Sequence, residues 1–80
     1  MFSIKWEERA LKDLDKLDLF IAKRIIKKVD TLQENPFAKD VKRLKGETTF
    51  RLRIGEYRVF FEIKDNIINI WKIGHRKNIY

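Results

Sequence analysis

Residues 50–64 read FRLRIGEYRVFFEIK, two runs of alternating character joined by Gly55-Glu56. Successive side chains of a strand point to opposite faces, so Phe50, Leu52 and Ile54 share one face and Arg51 and Arg53 the other. Gly55-Glu56 has the length of a tight turn, which predicts that residues 57–63 fold back antiparallel and bring Arg58 near Arg51 and Arg53. The hairpin must bury its apolar face, and it leaves a row of guanidinium groups on the other. Planar, permanently charged forks of this kind match phosphate oxygens. The chain's last residues, IGHRKNIY, add Arg76 to the set.

The remaining segments supply what the hairpin needs to pack against. Phe2, Ile4 and Trp6 alternate with polar residues and predict a first strand. From Glu7 the spacing changes to Ala10, Leu11, Leu14 and Leu17, one helical face, with acids in the first turn where the helix dipole favours them. Asp18 is placed to cap a second helix, whose Ile21, Ile25, Val29 and Leu32 form its buried stripe up to the stop at Asn35-Pro36. The short link predicts a helical hairpin against one sheet face. Residues 37–46 read as a charged connector pinned by Val41 and Leu44. Asp65-Asn66 reads as a second tight turn, followed by the nearly continuous apolar run 67–73, which predicts a central strand. The expected architecture is therefore α+β, a small single domain over residues 1–80: strand, helical hairpin, then antiparallel strands.

Composition narrows the chemistry. The 80 residues contain no cysteine and one histidine, His75. Disulfides, Cys/His zinc sites and Cys/His catalytic pairs are excluded, and neither a metal nor a cofactor is expected. No apolar run approaches membrane-spanning length, so a soluble, cytoplasmic protein with no membrane partner is expected. The net charge is +7, and its distribution is uneven. Residues 1–36 carry eight Lys/Arg against seven Asp/Glu, a balance of +1, whereas residues 37–80 carry eleven against five, a balance of +6. The arginine-bearing half is the one suited to a polyanion.

The segments LKG at 44–46, FRLRIGEYRVFFEI at 50–63 and IGHRKNIY at 73–80 resemble the RelE/ParE toxin superfamily, specifically its RelE branch. The resemblance implies a toxin of a toxin–antitoxin pair that enters the ribosomal A site and cleaves messenger RNA. It further implies neutralisation by a partly disordered RelB-like antitoxin, with operator DNA bound only through the toxin–antitoxin complex. By position, the basic strand pair of the family falls on Arg51 and Arg53, its Tyr-Arg on Tyr57-Arg58, its post-strand arginine on Arg76 and its catalytic tyrosine on Tyr80. The best-known bacterial members carry lysines where this chain has Arg51 and Arg53, and a longer spacing between the last arginine and the tyrosine.

Metal-free RNA cleavage drives the 2′-hydroxyl onto the adjacent phosphorus, which requires alignment, a proton acceptor, charge stabilisation and help for the leaving 5′-oxygen. Arg58 and Arg76 suit the phosphate clamp. Tyr80 suits the base or hydroxyl-positioning role, because neighbouring cations stabilise a phenolate. Arg51 and Arg53 stabilise charge but are poor proton donors, unlike lysine. Lys23, Arg24, Lys27 and Lys28 on the second helix, Lys42, Arg43 and Lys45 in the connector, and Lys77 are candidates for RNA or ribosome contact, and a solvated surface explains them equally well. His75 and Tyr57 read as structural, and Trp6, Phe60 and Trp71 as packing residues. Two alternatives stand beside the nuclease: a non-catalytic RNA- or DNA-binding module, and a gyrase-poisoning toxin of the ParE kind.

Overall fold

The structure, a computed structural model, describes residues 1–44 and 48–79. The arginine hairpin forms as the alternation requires: β3 (Thr49–Ile54) and β4 (Tyr57–Lys64) pair antiparallel, with Ile54 facing Tyr57, Arg53 facing Arg58 and Arg51 facing Phe60. Gly55 takes φ 57° at the first turn position, a conformation that costs glycine little. At the next turn Asp65 and Asn66 both have positive φ, 52° and 65°, the pattern of the primed turn that matches strand twist. That turn leads into β5 (Ile67–His75).

Five strands make one sheet in the order β1-β5-β4-β3-β2, with β1 (Ser3–Trp6) parallel to β5 and the other pairs antiparallel. The run 67–73 is thus internal, between β1 and β4, as its apolar character predicts. The helices are α1 (Glu8–Asp15) and α2 (Leu19–Asp30), the second continued by a 3-10 turn at Thr31–Gln33. Asp18 caps α2 by accepting the Phe20 amide at 2.9 Å. Ala10 and Leu14 of α1, Ile25 and Val29 of α2, and Leu32 close over Leu52, Ile54, Val59, Phe61, Ile68, Ile70 and Ile73 from one sheet face. Leu11 departs from its expected inward face and is 47% exposed. It lies one residue round the helix from Ala10, at the margin of the Ala10/Leu14/Leu17 stripe.

The connector 37–46 contains a strand: β2 (Val41–Arg43) pairs with β3, Val41 facing Leu52, Lys42 facing Arg51 and Arg43 facing Phe50. Three residues are too few to show a period, and the order comes from β3's main chain. Val41 nevertheless packs against the core as expected. A register shift between Phe60 and Phe61 gives β5 one extra residue, Trp71. Ile70 and Ile73 can then both face the core, while Trp71 lies beside Phe60 with ring centroids 5.8 Å apart. Past Ile70, β5 has outgrown β1, and the Asp13 carboxylate of α1 accepts the Ile73 amide at 3.0 Å.

Candidate functional site

The sheet face turned away from the helices carries two cationic rows. Cross-strand pairing lines up Lys42, Arg51, Phe60 and Lys72 in one row, and Arg53, Arg58 and Gly74 in the next. Lys72 lies over the Phe60 ring, 5.4 Å from its centroid. Arg53 and Arg58 stand directly opposite each other, an arrangement of like charges that costs about 0.2–1 kcal/mol in a sheet. A bound anion between the two guanidinium groups would offset that cost.

Arg76 arrives from a third element. Beyond β5 the chain turns into α3 (Arg76–Ile79), whose Ile79 packs where Gly74 has no side chain: a Cβ there would sit 3.0 Å from Ile79 Cδ1. Lys72 Nζ donates to the Ile79 carbonyl at 3.1 Å, and the His75 Nδ1 accepts the Lys77 amide at 3.1 Å. The His75 ring also meets Tyr57 edge-on, 5.3 Å between centroids, so both residues hold the strand end together. The Arg76 amide donates to the Glu56 carbonyl at 2.8 Å, and the Arg76 guanidinium pairs with the Glu56 carboxylate. One turn residue therefore fixes both the backbone and the side chain of Arg76.

Arg58 is half-buried, and its Nη1 donates to the carbonyls of Gly55 and Tyr57, each at 2.9 Å. Arg53, Arg58 and Arg76 then line an open cleft of about 420 Å³ together with Asp40, Gly55 and Glu56. Arg51 is not in this cleft; it lies a row away between Lys42 and Phe60. Four of the expected arginines thus separate into three that converge and one that flanks. The cleft can bind a phosphate by several forks at once and neutralise charge building on its oxygens.

Arg24, Lys27 and Lys28 line an adjoining cleft that shares Asp40, Arg53 and Gly55 with the first. Lys23 is exposed on α2 and lines neither. Arg43 lies on the opposite side of β3, its guanidinium carbon 5.9 Å from the centre of the Phe50 ring, and Lys77 is exposed on α3. Tyr80 and Lys45 lie outside the described residues.

Two acidic members of the site have no counterpart in the sequence reading. Glu56 had a usable signal, its place in a two-residue turn beside Arg58. Asp40 had none: it stands in a charged connector, and only the fold brings its carboxylate within 3.3 Å of Lys28 Nζ and its carbonyl to the Arg53 amide. Among the described residues no group of three or more His, Cys, Asp or Glu is placed to hold a metal ion, and no helix is long and apolar enough to cross a membrane.

Comparison with known proteins agrees with this architecture. The family described as ParE toxin of type II toxin–antitoxin system, parDE, matches residues 4–80. A Methanocaldococcus jannaschii protein provisionally named toxin RelE1 is 39% identical over 85 residues, covering 99% of this chain and 94% of the relative. The toxin–antitoxin complex RelBE2 from Mycobacterium tuberculosis contains a chain that superimposes with a TM-score of 0.84 at 28% identity, covering 94% of this chain and 98% of that one. The RelB-RelE antitoxin–toxin complex from Methanococcus jannaschii gives 0.76 at 29% identity, over 94% and 93%. With a family match from residue 4 to residue 80 and a RelE-named relative along nearly its whole length, this chain belongs to the RelE/ParE superfamily of type II toxin–antitoxin toxins.

Proposed function

We propose that this toxin is a metal-independent endoribonuclease that cleaves messenger RNA in the ribosomal A site by attack of the 2′-hydroxyl on the neighbouring phosphodiester. The observation that carries the proposal is the convergence of Arg53, Arg58 and Arg76 on one open cleft, with Arg53 and Arg58 opposed at an electrostatic cost. Arg58 and Arg76 clamp the phosphate, Arg53 stabilises the developing charge, and Arg51 extends the field from the next row. Tyr80 takes the role of base or 2′-hydroxyl positioner, on the strength of the IGHRKNIY ending. A RelB-like antitoxin restrains the toxin, in keeping with the antitoxin-bound relatives from Mycobacterium tuberculosis and Methanococcus jannaschii. The toxin acts in the cytoplasm and meets operator DNA only as part of that complex.

The decisive experiment induces the toxin with and without its antitoxin and maps messenger RNA ends. New ends are expected with the toxin alone, reduced about a hundredfold by Arg76→Ala, because an exposed arginine already paired with Glu56 gives less than a fully committed clamp. Tyr80→Phe is expected to suppress them as well. Cleavage indifferent to both substitutions ends the catalytic assignment, and growth arrest without new ends transfers the activity to the gyrase-poisoning reading.

Guanidinium groups at 51 and 53 bear on rate. An arginine does not give up its proton to a leaving 5′-oxygen, so that step depends on the ribosome or on solvent. Arg53→Lys is therefore expected to raise the single-turnover rate by on the order of tenfold. An unchanged or lower rate in a translation extract refutes this account of the arginine-for-lysine exchange.

A further inference from the structure

The α2 cations of the cleft between α2 and the β3–β4 turn have no role in the chemistry above. Arg24, Lys27 and Lys28 fall at i, i+3 and i+4, so α2 presents them on one side. The Arg24 guanidinium lies over Gly55, where an added Cβ would approach its Nη2 to 3.0 Å. Lys28 reaches Asp40 at 3.3 Å. This cleft, also of about 420 Å³, is lined by four cations and one carboxylate. It is continuous with the arginine cleft through Asp40, Arg53 and Gly55. The cations thus follow one groove with Arg53 at its middle.

A single phosphate needs only one of these clefts. A polynucleotide strand presents charges at every nucleotide, and a groove with cations at successive stations meets that repeat. We propose that the α2 cleft is a second phosphate site, which seats the phosphate next to the scissile one on the same RNA strand, with Arg53 bridging the two. Asp40 sits at the junction as the counter-ion of Lys28 in the free protein and opposes the strand electrostatically when it binds. The inference rests on the part of that reading in which the arginine cleft binds RNA, and not on cleavage.

Binding to uncleavable RNA tests it separately from catalysis. The probes are rhodamine-labelled 2′-O-methyl oligoribonucleotides, a trinucleotide with two internal phosphates and a dinucleotide with one, measured by fluorescence anisotropy with the full chain. Lys27→Gln/Lys28→Gln is expected to weaken the trinucleotide by about tenfold, to leave the dinucleotide nearly unchanged, and to lower the salt dependence by roughly one phosphate contact. Asp40→Asn is expected to tighten the trinucleotide several-fold, a direction that partial unfolding cannot produce. Parent-like trinucleotide binding by the double variant overturns the inference, as does weaker binding by Asp40→Asn. A polyglutamate peptide that displaces the trinucleotide at equal charge, with the same loss in the double variant, also overturns it and assigns the cleft to an acidic protein segment. If binding behaves as expected while messenger RNA stays intact on ribosomes, the cleavage reading fails and the second phosphate site stands.

Discussion

Replacing Arg58 with alanine is expected to slow messenger RNA cleavage by up to about a thousandfold while leaving the fold in place. Of the three converging arginines, Arg58 is the one whose geometry is most tightly set. It sits on β4 inside the sheet, is half-buried, and has Nη1 tied to two carbonyls of its own turn. A cation held in this way needs little reorganisation as charge builds on a phosphoryl oxygen, which is the condition for large electrostatic catalysis. The stability balance is small by comparison. Removing the guanidinium frees the exposed Gly55 carbonyl, where water replaces the lost bond, and the part-buried Tyr57 carbonyl, a loss of about 1 kcal/mol, and relieves repulsion with Arg53 worth about 0.2–1 kcal/mol. The net change is therefore expected within about 1 kcal/mol.

Single-turnover rates on programmed ribosomes, alongside urea unfolding, check both halves. Arg58→Lys keeps the charge without the planar fork and is expected to recover only part of the rate. A rate for Arg58→Ala within about threefold of the parent removes Arg58 from the catalytic set, and with it the strongest member of the clamp.

The legible parts of the fold were those in which local chemistry and tertiary packing agree. Phe50, Leu52 and Ile54 alternate with Arg51 and Arg53 because the sheet has one covered face, and Gly55 and Asp65-Asn66 are residues that tolerate the positive φ their turns require. Asp18 could be read as a cap because its carboxylate needs only the Phe20 amide two residues on. Features that depend on distant partners left no such mark. The β2 strand takes its order from Phe50, Arg51 and Leu52, and the extra residue Trp71 is defined only against Phe60 and Phe61.

The site divides along the same line. Arg53 opposite Arg58 follows from hairpin register, which the two-residue turn sets. The exclusion of Arg51 from the cleft is a matter of rows, since two residues along a strand is a displacement of about 7 Å. The delivery of Arg76 depends on Glu56, and the carboxylate between the two clefts on Asp40, both through contacts with residues far along the chain. A charge list names the candidate cations but cannot say which carboxylates already hold them.

Phe61→Ala is expected to remove 3–5 kcal/mol of stability, the usual range for emptying a buried phenylalanine site. Phe61 is fully buried beneath the arginine hairpin, with its ring stacked on Phe50 at 5.5 Å and 17°. A domain of this size has roughly 4–12 kcal/mol in total, so the substitution consumes between a quarter and all of it and lowers the melting temperature by on the order of 20 °C. Phe61→Leu, which retains most of the volume, is expected to cost no more than about 1.5 kcal/mol. Thermal and urea melts decide, and a melting temperature for Phe61→Ala within a few degrees of the parent contradicts the placement of Phe61 at the centre of the core. The functional consequence has a different signature from that of Arg58→Ala. Phe61 and Arg58 point to opposite faces of β4, so whatever fraction of Phe61→Ala is folded carries the full arginine cleft. Its cleavage activity should follow the folded fraction and recover on cooling toward the temperature of maximum stability, whereas the loss in Arg58→Ala should persist in a protein that is folded throughout.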